Sequence, residues 1–229
     1  DRLVFTAAAT EATVYWNGEP IAAHLGGWTP FEVDVPSEPD GGQRGLLEVR
    51  LDEKVGHDTQ GFLTIIQPHF GGLWQPVVLV RDRGPVIDMI RTLTFGDLER
   101  KTLRCAIHVR RRASDPPLVV DGDLLEGATP VTNTRAAIPV DGPAEIELAV
   151  PAPRAWGPDD PALYTVRMTL RSAADGRRLD RQTRRVGFRH VDRDGTTLLW
   201  NGRPLQVRGM LHWGFSPPHF APPPTAAEW

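Results

Sequence analysis

The chain has 229 residues, with 26 Lys and Arg against 29 Asp and Glu, for a formal net charge of -3. That balance gives no electrostatic basis for binding nucleic acid or an anionic membrane, and no apolar run is long enough to cross a bilayer. Its one cysteine, Cys105, excludes an internal disulfide framework, and no Cys/His pair has zinc-ligand spacing.

The chain starts at Asp1 rather than Met, and "RLVF" begins in mid-pattern with no signal-peptide layout. The expectation is a piece of a longer protein, whose compartment cannot be read from this end. Val14 and Trp16, then Asn17-Gly18, then Ile21 and Ala23 predict a hairpin, because a type I′ turn needs positive φ at both central positions. Pro20 fits an edge strand, which can spare an amide donor. In "KTLRCAIHVR", Leu103, Cys105, Ile107 and Val109 alternate with Thr102, Arg104, Ala106 and His108, the period of a strand with one buried face. The short basic run Arg110 to Arg112 lies beside Ser114 and Asp115 and reads as the solvated end of that strand. "EIELAV" and "YTVRMTLR" repeat the alternation, with Ile146, Leu148 and Val150, then Tyr164, Val166, Met168 and Leu170, on the apolar side. Pro-, Gly- and Asp-rich stretches such as "PSEPDGG", "SDPP" and "WGPDDP" divide the strands and supply turn conformations. Short strands at such intervals, wet on one side, predict β-sandwiches.

A second Asn-Gly hairpin follows, with Leu198 and Trp200 before Asn201-Gly202 and Leu205 and Val207 after it. "WNGEPI" and "WNGRPL" look like a repeat, yet "AAHLGGWTPFEV" has no counterpart in "QVRGMLHWGFSP". The reading is one turn used twice. "PLQVRGMLHWG" predicts an apolar strand, "FSPPHFAPPP" a loop, and Thr225 with Glu228 a capping box that opens a helix. Strand, loop and capped helix begin a βα unit rather than another sandwich.

Three stretches together resemble glycoside hydrolase family 2, which contains β-galactosidases, β-glucuronidases and β-mannosidases. "ATVYWNGEPIAAHLGGWTPFEVDV" is similar to a stretch of the family's N-terminal jelly roll, and "GGLWQPVVLV" to the strand that closes that domain. "WGPDDPALYTVRMTL", continuing through "RRVGFRHVDRDGTTLLWNGRPLQVRGM", resembles the end of the family's immunoglobulin-like domain and the lead-in to its TIM barrel. The resemblance implies a mainly β fold in three parts. Residues 1–83 are the C-terminal part of a jelly-roll sugar-binding domain, residues 84–187 an immunoglobulin-like β-sandwich, and residues 188–229 the lead-in hairpin and first βα unit of a truncated TIM barrel.

Retaining glycosidases need two carboxyl groups about 5 to 5.5 Å apart, and the family places both on later barrel strands. After Asp194 the chain has one acid, Glu228, which the helix cap explains. Glu145, Glu147 and Asp192 fall on wet faces or in turns. No catalytic residue, cofactor or metal is therefore expected here, and the chain reads as the non-catalytic N-terminal portion of a retaining exo-β-glycosidase. The rival reading is a carbohydrate- or protein-binding sandwich module with no enzymatic activity. Barrel active sites lie at the C-terminal ends of strands, so the resemblance puts His212, Trp213 and Phe215 against the substrate, the histidine to bond a sugar hydroxyl and the rings to stack on it. "RGMLHWGFSPP" departs from the β-galactosidase and β-mannosidase patterns at this point, so no particular sugar follows. Some members hold a cation with an aspartate from the jelly roll, but Thr59 to Arg81 contains no acid; His57, Gln67 and His69 are the polar residues available, and a metal role for them is not expected. Trp28, Trp74 and Trp156 are expected to pack rather than bind, and Cys105 to be inert on the apolar face of its strand. The expected partner is a carbohydrate substrate; homo-oligomer formation is left open.

Overall fold

Asn17 and Gly18 adopt φ of 51° and 84°, and Asn201 and Gly202 adopt 51° and 77°, so both Asn-Gly pairs turn the chain with positive φ at two successive residues. In the computed structural model, which describes residues 1–36, 45–53, 71–82 and 84–211, everything around these turns is strand, turn or loop, with no helix among the described residues. The described residues divide into two compact units, 1–82 with 209–211, and 84–208.

The first unit contains β1 (Arg2–Phe5), β2 (Glu11–Trp16), β3 (Glu19–Leu25), β4 (Phe31–Asp34), β5 (Leu47–Asp52) and β6 (Val77–Val80). They form two three-stranded sheets, ordered β4-β1-β6 and β3-β2-β5. Alternation decides what each sheet buries. Leu3 and Phe5 of β1, Val33 of β4 and Val14 of β2 point into one shared core, where the Phe5 and Phe31 rings stack at 4.6 Å. Pro20 lies on β3, an edge strand, as its missing amide requires. Arg2 joins the strands of its sheet at their outer face, ion-paired to Glu32 and, at 2.8 Å, to Asp82. The core face thins toward the β6 edge. Val33, Leu3 and Leu79 stand in one cross-strand row, and the first two are buried while Leu79 is 51% exposed.

The second unit contains β7 (Val86–Ile87), β8 (Leu93–Asp97), β9 (Thr102–Ile107), β10 (Val109–Arg110), β11 (Leu118–Glu126), β12 (Thr129–Ala137), β13 (Ala144–Ala149), β14 (Tyr164–Ser172), β15 (Arg178–Val186), β16 (Phe188–Arg189), β17 (Val191–Asp194), β18 (Thr197–Trp200) and β19 (Arg203–Pro204). Two four-stranded sheets, β12-β11-β14-β15 and β13-β9-β8-β16, make a sandwich. Its core takes Leu103, Cys105, Ile107, Ile146, Leu148 and Phe188 from one sheet, and Val120, Leu124, Tyr164, Val166, Met168 and Leu170 from the other. The residues from β9, β13 and β14 are on the apolar faces the alternation identified; Val120, Leu124 and Phe188 come from strands it did not read. β16 runs parallel to β8, with Phe188 beside Gly96. A Cβ at Gly96 would meet the Gly187 carbonyl at 2.8 Å and the Phe188 ring at 3.2 Å, so glycine is required for this approach. The Tyr164 hydroxyl accepts a bond from the Arg154 amide at 2.9 Å, tying the loop before β14 to the core.

One residue of the wet face differs from expectation. Thr169 of β14 is buried, because charged side chains surround it. Arg167 and Arg171 flank it along the strand, Asp121 and Arg181 stand beside it on the neighbouring strands, and Arg167–Asp123 (3.0 Å) and Arg171–Asp121 (2.7 Å) pairs close over it. Long arginine stems cover the sheet as apolar residues would.

The predicted strand after the second hairpin is absent from the described residues. β19 is two residues long, the last ladder contact is the Leu205 amide to the Leu198 carbonyl at 2.8 Å, and Leu205–Leu211 belong to no strand. A strand of a parallel barrel is held by neighbours on both sides, and here none is supplied. Val207, Met210 and Leu211 are exposed instead, Met210 by 86%. The expected capped helix at Thr225 lies outside the described residues.

Candidate functional site

The residues expected at a substrate-facing mouth, His212, Trp213 and Phe215, lie outside the described residues, as do His57, Gln67 and His69. The described residues show how the chain is delivered to them. β18 pairs with β17 on one side and β19 on the other. Asn201 closes the turn and also pins the third strand: its amide donates to the His190 carbonyl and its Oδ1 accepts from the His190 amide, both at 2.9 Å. Its Nδ2 donates to the Trp156 carbonyl at 3.0 Å, which also receives Trp200 Nε1 at 3.2 Å. The Trp156 and Trp200 rings lie 5.4 Å apart, and the Arg189 guanidinium is 5.8 and 5.9 Å from their centroids, within cation–π range. The hairpin is thereby fixed to the loop before β14, and Trp156 anchors as the sequence suggested.

In the first unit, Trp74 Nε1 donates to the Gly27 carbonyl at 2.8 Å, and Trp28 meets Trp74 edge-on at 5.1 Å. Trp28 is 43% exposed, so it braces a loop rather than filling the core. His24 stacks on Phe31 at 4.2 Å and its Nε2 bonds Thr29 Oγ1 at 3.1 Å; burial holds its pKa below the ordinary value.

Several of the acids are engaged by arginines or amides. Arg154 bridges Glu126 and Asp160 at 3.0 and 2.9 Å. Arg135 and Arg171 both bond Asp121, and the Arg135 bond leads in holding that carboxyl below its usual range. Asp175 is lowered too, first by its bond from Ser172. A general acid must keep its proton near neutral pH, so neither carboxyl suits that role. Asp88 is buried, and its Oδ1 accepts the Ile90 and Arg91 amides at 3.1 Å each, shaping a turn rather than a site. No cluster of three His, Cys, Asp or Glu able to hold a metal occurs among the described residues.

The second sandwich does carry a groove, of about 530 Å³, lined by Phe95, Asp97, Glu99, Arg100, Arg104, Arg189, His190 and Val191. Strand alternation builds it. Leu93, Phe95 and Asp97 are the outward residues of β8, Arg104 is outward on β9 directly opposite Phe95, and Arg189 is outward on β16 opposite Asp97. The turn at Glu99 and Arg100 and the segment His190–Val191 rise beside this floor. His190 Nε2 lies 3.5 Å from Glu99 and 3.8 Å from Asp192. The sequence reading treated this face only as solvated. The signal it held was Phe95, an aromatic on the wet side of a strand.

Comparison with known proteins agrees with the architecture. Residues 95–189 match the family model described as glycosyl hydrolases family 2. A β-galactosidase of Thermoanaerobacter pseudethanolicus is 28% identical over 225 residues, 90% of this chain and 28% of that protein. A β-glucuronidase of Paenibacillus borealis is 25% identical over 224 residues, 88% of this chain and 35% of that protein. The chain thus spans about a third or less of the length of these relatives. Among solved structures, the β-glucuronidase of Bacteroides uniformis superposes with a TM-score of 0.73 at 24% identity, over 91% of this chain and 26% of that one. The β-glucuronidase of Bifidobacterium dentium gives 0.67 at 24% identity, over 89% and 39%. With its motifs in the expected order, its sandwiches and the family model matching residues 95–189, the chain is similar to members of glycosyl hydrolase family 2.

Proposed function

We propose that the chain is the non-catalytic N-terminal portion of a longer retaining exo-β-glycosidase that removes a β-linked sugar from the non-reducing end. The observation that carries this is the lopsided coverage: 90% of the chain aligns with only 28% of a β-galactosidase, and 88% with 35% of a β-glucuronidase. The parent's chemistry would come from a pair of carboxyl groups about 5 to 5.5 Å apart on a barrel that follows. In that parent, Leu205–Met210 gains the neighbours that make it a barrel strand, and His212, Trp213 and Phe215 face the sugar from the strand's C-terminal end. The sandwiches hold the barrel and form one wall of its pocket. The anchored hairpin supports this reading, since Asn201 and Trp200 fix the point from which the barrel chain departs.

The test is a panel of nitrophenyl β-galactoside, β-glucuronide and β-mannoside on the parent-length protein, with the anomer of the first product followed by NMR. Hydrolysis with retention is expected; inversion, or no hydrolysis of any β-glycoside, counts against the reading. A second reading, a sandwich module that binds a glycan or a protein without hydrolysing it, has the groove of the second unit in its favour.

A further inference from the structure

We propose that the groove on the outer face of β8, β9 and β16 is a separate, non-catalytic binding site for a sugar residue bearing one carboxylate, a hexuronic acid. Two guanidinium groups in it, Arg104 and Arg189, engage aromatic rings and have no ion-pair or hydrogen-bond partner among the described residues. Arg104 lies over Phe95 at 5.4 Å, and Arg189 lies against Trp156 and Trp200. On the opposite sheet of the same sandwich, Arg135 and Arg171 pair with Asp121, and Arg167 with Asp123. The groove leaves its forks open to a ligand, and a planar fork suits a carboxylate better than any other common anion but phosphate.

The remaining lining selects among carboxylates. Phe95 is 53% exposed on the groove floor and offers an apolar surface next to the Arg104 fork. Asp97 and Glu99 are acceptors, and they repel a ligand carrying several negative charges. A ligand with one carboxylate, several hydroxyl donors and an apolar ring face satisfies all of these groups, whereas an acidic peptide or a heavily sulfated chain meets repulsion from Asp97 and Glu99. The volume is that of a small-molecule site, which runs from about 300 to 1,000 Å³. The choice of a sugar over other monocarboxylates rests on the glycosidase reading; the charge requirement does not.

The experiment is NMR titration of the 229-residue chain with methyl β-glucuronide, methyl β-glucoside and acetate, following backbone amide shifts. Saturable shifts centred on Phe95, Arg104 and His190 are expected with the glucuronide, with dissociation constants at least about tenfold weaker for the glucoside, which loses the charge-assisted bond, and for acetate, which lacks the ring face and hydroxyls. Arg104→Ala and Phe95→Ala, both outward substitutions, should each weaken the glucuronide by about tenfold or more. The absence of saturable shifts, shifts centred elsewhere, or unchanged affinity in Arg104→Ala overturns the site. Acetate or the neutral glucoside binding as well as the glucuronide overturns the ligand class. No turnover is measured, so a failure here is separate from a failure of the parent-length protein to hydrolyse glycosides.

Discussion

Replacing Asn201 by glycine separates two things the Asn-Gly pair does. Glycine keeps the positive φ of 51° that the turn needs, so the hairpin itself survives. What goes is the side chain, with its bonds to the His190 amide at 2.9 Å and the Trp156 carbonyl at 3.0 Å. At about 0.5 to 1.5 kcal/mol net for each hydrogen bond, the loss is about 1 to 3 kcal/mol. Asn17 supplies an internal comparison. Its φ is the same, and its Oδ1 accepts the Leu46 amide at 2.8 Å while its own amide donates to the Leu46 carbonyl at 2.9 Å. Both asparagines thus pin the residue just ahead of a third strand, β5 or β17. The Asn17 side chain shows one such bond, so Asn17→Gly should cost about half as much, about 0.5 to 1.5 kcal/mol. Asn201→Ala should be worse than Asn201→Gly by about 1 kcal/mol, since alanine is strained at positive φ. Urea unfolding followed by tryptophan fluorescence reads all three, and a slope of about 2 kcal/mol per molar converts the Asn201→Gly loss into a midpoint lower by about 0.5 to 1.5 M. If Asn201→Gly unfolds at the wild-type midpoint, the side-chain staple contributes nothing and the anchoring of the hairpin is wrongly described.

Gly96→Ala should lower the stability of the second unit by about 1 to 3 kcal/mol, because the new methyl meets the Gly187 carbonyl at 2.8 Å; an unchanged melting temperature would show that β16 can move aside freely. Cys105 is buried and its thiol is pushed up to about 12 by burial, so at pH 8 the native chain should react with a disulfide reagent far more slowly than the urea-unfolded chain; equal rates would contradict the packing. Asp121 has its pKa lowered, chiefly by Arg135 and with Arg171 assisting. Its contribution to stability is therefore full above the unfolded value of about 3.9 and disappears as pH falls through the lower folded value. Arg135→Ala should move the Asp121 carboxyl titration, read by carbon-13 NMR, upward toward the ordinary aspartate value; no movement would remove the arginine as the cause.

Where local physics decides structure, the sequence is legible. The period of two in β9, β13 and β14 identifies the buried faces of the second sandwich because a strand has only two sides. Asn-Gly identifies both turns because few residues accept positive φ in succession. What the pattern hides depends on neighbours. Thr169 looks solvent-facing until Asp121, Arg167, Arg171 and Arg181 close around it. Leu205–Met210 looks like a strand, yet a strand is a relation between chains of hydrogen bonds, and none is found past Leu205 among the described residues. Phe95 gives the groove away only once Arg104 is known to stand opposite it on one neighbouring strand and Arg189 on the other, along the same face. The two motifs written "WNG" share more than a turn, because each asparagine also holds a third strand. No spacing within the motif reveals those partners, which lie 29 residues away in the first case and 11 in the second.

The proposed division of labour between these sandwiches and a following barrel is tested most directly by turnover. The 229-residue chain and the parent-length protein are to be assayed side by side on nitrophenyl β-glycosides at equal molar concentration. Hydrolysis by the longer protein and a rate no higher than buffer for the shorter chain is the expected result; clear turnover by the 229-residue chain, abolished by substituting a carboxylate within it, would contradict a non-catalytic role.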